Sequence, residues 1–226
     1  MELIKYLRDL LRSNSGARIP GNQTEAALRL IAEGNALEDG GEASKALGLY
    51  AKAIDLAPGL ARAYLNHGNA LKALGYFDPA LQSYEMALKC DPGLAGAHFN
   101  IGNTLAACNR RDQALTAYRR AIEIKPDFID AKIACAVVLQ DLGMLDAAVA
   151  SYRDVLAAVP GYAEVHSNLA SVLRTQCKFD EALRSYQTAS KLRPDYAECY
   201  AGMGNVLKDL GRVDEAIPCY QKAIVI

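Results

Sequence analysis

Neither sign of charge is in surplus in this sequence: 25 lysines and arginines stand against 26 aspartates and glutamates, a formal net charge of −1. The signs are mixed along the chain and form no basic stripe, so nucleic acid is not an expected partner. The apolar runs fall far short of the roughly 20 residues that span a bilayer. The N-terminus carries charges at Glu2, Lys5, Arg8, Asp9 and Arg12 and does not read as a secretion signal. No membrane partner is expected, and the location expected is cytoplasmic. Glycine-rich phosphate loops are missing, and nothing places a nucleophile beside an oriented base. The six cysteines (Cys90, Cys108, Cys135, Cys177, Cys199, Cys219) include no CxxC pair, whereas a metal or disulfide framework would repeat a fixed spacing. They read as reduced thiols, most of them packed as small apolar residues. The three histidines, His67, His98 and His166, read as packing residues. No catalytic residue, metal ligand or cofactor is expected, and the chain is not expected to be an enzyme.

What is present is a period. Pro58, Pro92, Pro126, Pro160 and Pro194 stand 34 residues apart. Alanine keeps the same step at 46, 80, 114, 148, 182 and 216, and tyrosine does so at 50, 84, 118, 152, 186 and 220. Leu37, Leu71, Leu105, Leu139, Leu173 and Leu207 repeat it again. Four series in one register define a repeat array, which grows by stacking units and has no single centre.

Each unit reads as helix, tight turn, helix, short turn. The first helix stops at a residue suited to left-handed backbone: Gly41, Gly75, Asn109, Gly143 and Gly211. Cys177 holds that place in the fifth unit and is expected either to be strained or to end its helix differently. Three residues on, Ser44, Asp78, Asp112, Asp146, Asp180 and Asp214 are the expected N-caps of the second helix. Pro79 then falls at the first helical position. The second helix ends near the prolines, because the residue before proline avoids helical backbone. Pro218 lies deeper and should loosen or bend its helix. Gly34, Gly68, Gly102 and Gly204, with Ala136 and Ala170, leave room for close approach, and the tyrosines fill it. Ahead of the array, residues 2–13 read as an amphipathic helix, a cap or an interaction helix, with a linker to residue 21. Asn22 and Glu25 suggest a capping box for the helix that follows.

The period, with Gly102, Ala114, Tyr118, Ala121 and Pro126, resembles the tetratricopeptide repeat. The resemblance covers repeats 27–60, 61–94, 95–128, 129–162, 163–196 and an incomplete 197–226, within an array over 22–226. Leu30, His98, Lys132 and His166 depart from the family's first-helix aromatic, which Tyr64 and Tyr200 keep. Val155 replaces an alanine, so the fourth repeat is expected to pack less closely. The resemblance implies an all-α fold of antiparallel helix pairs in a right-handed superhelical solenoid, with a concave groove lined by first helices that binds an extended peptide or partner helix. Asn66, Asn100 and Asn168, and three residues on Asn35, Asn69, Asn103 and Asn205, would face that groove, either gripping a peptide backbone or standing as solvated consensus residues. Lys72, Arg174 and Lys208 would add polar contacts or form a solvated face. The family's clamp for a C-terminal carboxylate is not matched, because its basic places carry Leu65, Asp130 and Ala134.

The wording at residues 98–103, 125–131 and 164–171 is similar to the superhelix of nucleocytoplasmic O-linked glycosyltransferases, which act on serine or threonine of proteins. That likeness implies a substrate-recognition arm, inert by itself. The sequence ends inside a second helix, at Gln221 to Ile226. Two expectations follow: a longer parent protein, or self-association through the bare end.

Overall fold

The computed structural model describes residues 21–226, and among them it contains twelve helices. They are α1 (Gly21–Asp39), α2 (Ala43–Leu56), α3 (Ala61–Ala73), α4 (Phe77–Cys90), α5 (Ala95–Ala107) and α6 (Arg111–Ile124), followed by α7 (Ile129–Asp141), α8 (Leu145–Ala158), α9 (Ala163–Thr175), α10 (Phe179–Leu192), α11 (Ala197–Asp209) and α12 (Val213–Val225). The fold is all-α, built from helix–turn–helix repeats. The helix expected at 2–13 and its linker lie outside the described residues. None of the described helices is long and apolar enough to cross a membrane.

The chain forms two compact units, the first closing at Asn109 and the second opening at Arg110. In the first, α1 pairs with α2 and α3 with α4, and α1, α3 and α5 lie side by side. In the second, α7 pairs with α8, α9 with α10 and α11 with α12, while α7, α9 and α11 lie side by side. So first helices neighbour first helices within each unit, the arrangement that the 34-residue period requires.

The turn inside each hairpin explains two of the series. In the second repeat Gly75 has φ +81°, its N–H bonds the Lys72 carbonyl at 3.0 Å, and the Tyr76 N–H bonds the Leu71 carbonyl at 2.9 Å. This is a Schellman turn, with the leucine series supplying the carbonyl that closes it. The same bond runs from Glu42 to Leu37, Met144 to Leu139, Lys178 to Leu173 and Arg212 to Leu207. Cys177 makes this turn too, at φ +59°, so of the two expectations the strained one holds.

The turn also corrects the expected caps. The second helices begin one residue after the turn's last donor, so Ser44, Asp78, Asp112, Asp146, Asp180 and Asp214 are second helical residues, and no cap side chain makes a hydrogen bond. The carboxylates act on the helix macrodipole instead, a smaller effect of about 0.3–1 kcal/mol each. Pro79 is accordingly the third helical residue, still among the amides that need no acceptor. Asn22 likewise falls inside α1, which starts at Gly21. The exits behave as expected: Ala57, Asp91, Lys125, Val159 and Arg193, each before a proline, leave helical backbone with φ between −128° and −141°.

The core is alanine and tyrosine. The alanine series is at most 1 % exposed throughout, and Tyr50, Tyr84 and Tyr152 are wholly buried. Val155, the oversized member of a small-residue place, is fully buried as well. Helix α12 runs through Pro218 and buries Ala216 alone.

Candidate functional site

A ring laid on a bare backbone positions the candidate site. A Cβ added to Gly34 would lie 2.5 Å from Tyr50 Cε1, and one added to Gly68 would lie 2.5 Å from Tyr84 Cε1. At Gly204 the clash is with Tyr220 Cε1, at 2.7 Å. Only glycine lets the second-helix ring cross its own first helix this closely. The crossing carries each hydroxyl to the asparagine one residue past the glycine. Tyr50 donates to Asn35 Oδ1 at 2.8 Å, Tyr84 to Asn69 at 3.0 Å and Tyr220 to Asn205 at 2.9 Å. The Tyr50 hydroxyl also lies 2.9 Å from Glu38 Oε2. Burial pushes the Tyr50 and Tyr84 phenols well above their usual range, so these hydroxyls remain protonated donors.

The next repeat then closes on the same oxygen. Asn66 Nδ2 donates to Asn35 Oδ1 at 2.7 Å, and Asn100 Nδ2 donates to Asn69 Oδ1 at 2.8 Å. Asn69 Oδ1 therefore accepts from Tyr84 and from Asn100, which uses both its lone pairs. What the ladder keeps for another molecule is the Nδ2 group of Asn69 and the Oδ1 and second N–H of Asn100, on half-buried side chains. The two asparagine series, read separately in the sequence, are one linked ladder in the first unit.

The remaining candidates divide. Asn103 is half-buried on α5. The side chain of Asn168, half-buried on α9, makes no hydrogen bond to another described residue. Arg174 Nε holds Asp209 Oδ2 at 2.6 Å, a bond that raises the guanidinium's pKa, so this cation is neutralised within the second unit. Lys72, half-buried, and Lys208, exposed, carry no ion pair among the described residues. Lys132, at the family's aromatic place, pairs with Asp154 at 2.6 Å.

The histidines are held within the fold. His67 is 5 % exposed, with Nδ1 2.9 Å from Ser83 Oγ. Because the Ser83 hydroxyl donates to the Pro79 carbonyl, its lone pair accepts from Nδ1. Burial pulls the His67 pKa down to about 4. His166 Nε2 lies 2.9 Å from the Pro160 carbonyl.

Sequence reasoning missed the tyrosine hydroxyls as part of the site. The signal was a constant 15-residue step between asparagine and tyrosine, at 35 and 50, 69 and 84, and 205 and 220. It also passed over Val137, which stands where that asparagine belongs in the fourth repeat.

Comparison with known proteins bears on this architecture. Models of the tetratricopeptide repeat match residues 61–93, 95–128 and 161–226, together more than half of the chain. No curated protein matches it. Among solved structures, PilF of Pseudomonas aeruginosa aligns with a TM-score of 0.77 at 17 % identity, over 88 % of this chain and 90 % of that one. MamA from Desulfovibrio magneticus RS-1 aligns at 0.69 and 18 %, over 73 % and 93 %. YrrB, described as a TPR protein with an unusual peptide-binding site, aligns at 0.65 and 25 %, over 76 % and 89 %. The first two likenesses concern the fold alone.

Proposed function

Because the chain belongs to the tetratricopeptide-repeat proteins, we propose that it is a non-catalytic protein–protein interaction module, binding an extended peptide or a partner helix along its first helices. The observation that carries this reading is the first-unit ladder. Asn35 and Asn69 are fixed by tyrosine and by the following repeat, which pre-orients free amide donors and acceptors at small cost in side-chain entropy. An amide offers both halves of a peptide bond's hydrogen bonding and pays no heed to side chains. YrrB's described peptide-binding site supports peptide as the ligand class.

The test uses phage-displayed random 12-mers selected on the protein. Asn66, Asn100 and Asn168 changed together to alanine should weaken the selected peptides by roughly 100-fold, at about 1 kcal/mol per hydrogen bond. Far-UV circular dichroism should keep its helical amplitude. Unchanged affinity would remove the ladder from the site.

The wording of the repeats favours a second reading, in which the same module is the substrate-recognition arm of a protein O-glycosyltransferase. A nucleotide-sugar-binding domain encoded downstream of Ile226 would support it, and an immediate stop codon would end it. Self-association is a third role. A mass that rises with concentration in light scattering would support it; a strict monomer would exclude it.

A further inference from the structure

The ladder is interrupted in the second unit. Val137 occupies the register of Asn35, Asn69 and Asn205, and it can accept nothing. Two consequences follow. Tyr152 turns its hydroxyl instead to Gln140 Oε1, at a long 3.4 Å. Asn168, in the register of Asn66 and Asn100, has lost its acceptor, and its side chain makes no hydrogen bond to another described residue. Val137 is itself 39 % exposed, with Ile133 and Ala134 half-buried beside it on α7. Helices α7 and α9 are neighbours, and Val137 and Asn168 keep the 31-residue step of the bonded pairs Asn35–Asn66 and Asn69–Asn100, which sets the apolar step and the unpaired carboxamide in the same register.

We propose that this interruption reads one aliphatic side chain of a bound extended peptide: Val137 supplies the apolar contact, and Asn168 holds the peptide main chain beside it. The inference rests on the peptide-binding reading and adds specificity to it. Asn66 and Asn100 each spend one N–H on the preceding repeat, whereas Asn168 keeps both N–H groups and both oxygen lone pairs for a ligand. Along the first unit the ladder is polar and indifferent to side chains. At Val137 alone in this register a large apolar side chain is left uncovered, and covering it with a leucine or isoleucine removes apolar surface from water on both partners. Val137 therefore fixes which peptide residue sits on the second unit.

Random 12-mers are selected in parallel on the wild type, Val137→Asn and Asn168→Ala. The wild-type pool should enrich an aliphatic residue at one position, and replacing that residue by alanine should weaken binding about tenfold in fluorescence anisotropy. On Val137→Asn the difference should shrink to less than about twofold. The thermal midpoint of that variant should hold or rise, because the introduced carboxamide can accept from Tyr152 and Asn168. Val137→Thr, which keeps the branched shape, is the second variant should Val137→Asn fold poorly, and it should also lose the preference. Asn168→Ala should weaken all selected peptides and leave the aliphatic preference in place. A wild-type pool without aliphatic enrichment, or a preference that survives Val137→Asn and Val137→Thr, overturns the inference. If binding then still falls on changing Asn66 and Asn100, the peptide-binding reading stands without it. A selection that yields no binder removes both.

Discussion

At the scale of single residues, the tyrosine hydroxyls divide the repeats into linked and unlinked ones. Tyr84→Phe should cost about 1 kcal/mol in urea unfolding, the worth of its bond to Asn69. Tyr152→Phe should cost much less, since its bond to Gln140 is stretched. Gly68→Ala should be worse than either, about 1–3 kcal/mol, because the new methyl meets the Tyr84 ring rather than a flexible side-chain end. His67 adds a pH dependence of definite sign. Its folded pKa is about 4 against an ordinary 6.5, so between those values the unfolded chain takes up a proton that the folded chain refuses. Stability from this group is complete above pH 6.5 and falls as the pH drops toward 4, by about 3 kcal/mol at most. Urea midpoints at pH 7.5 and 4.5 measure the loss, and His67→Phe should flatten this part of it.

At the scale of elements, the hairpin turn sets where both helices end and begin. Cys177 holds left-handed backbone that costs a side-chain-bearing residue roughly 1–2 kcal/mol. Cys177→Gly should therefore raise the unfolding free energy by about 1 kcal/mol. Asn109→Gly should gain less, because asparagine tolerates this conformation. The first-helix stops were legible in the sequence, since Gly41, Gly75, Gly143 and Gly211 have no other use at a 34-residue step. The second-helix starts were misread by two residues. A side chain such as Asp78 suits an N-cap and a first turn equally, and only the hydrogen bond from Tyr76 to Leu71 shows how tightly the chain turns. The asparagines were legible as residues but not as a ladder. Their partners sit 15 and 31 positions away, so the links depend on how hairpins stack.

At the scale of the whole molecule, stability should be uneven, because each helix draws on its neighbours. Helix α9 buries seven residues between flanking helices, whereas α12 buries Ala216 alone and loses one backbone bond at Pro218. Amide hydrogen exchange should be slowest in α9 and fastest in α12. Equal protection of the two would mean that the second unit opens as a single block. The 34-residue step tells that such an array exists; it is silent on these differences, which come from which side chains each neighbour covers.

One exchange between repeats carries a practical consequence. The fifth repeat has Ala170 where Gly34, Gly68 and Gly204 stand, and there the Tyr186 ring lies against the following repeat instead: a Cβ on Gly202 would fall 2.3 Å from Tyr186 Cζ. The extra methyl of one hairpin is matched by the missing one of the next. Anyone splicing, shuffling or regularising this array should cut outside residues 170–202 and carry that stretch across intact. A consensus edit such as Gly202→Asn, made without restoring glycine at 170, would jam the seam it was meant to mend.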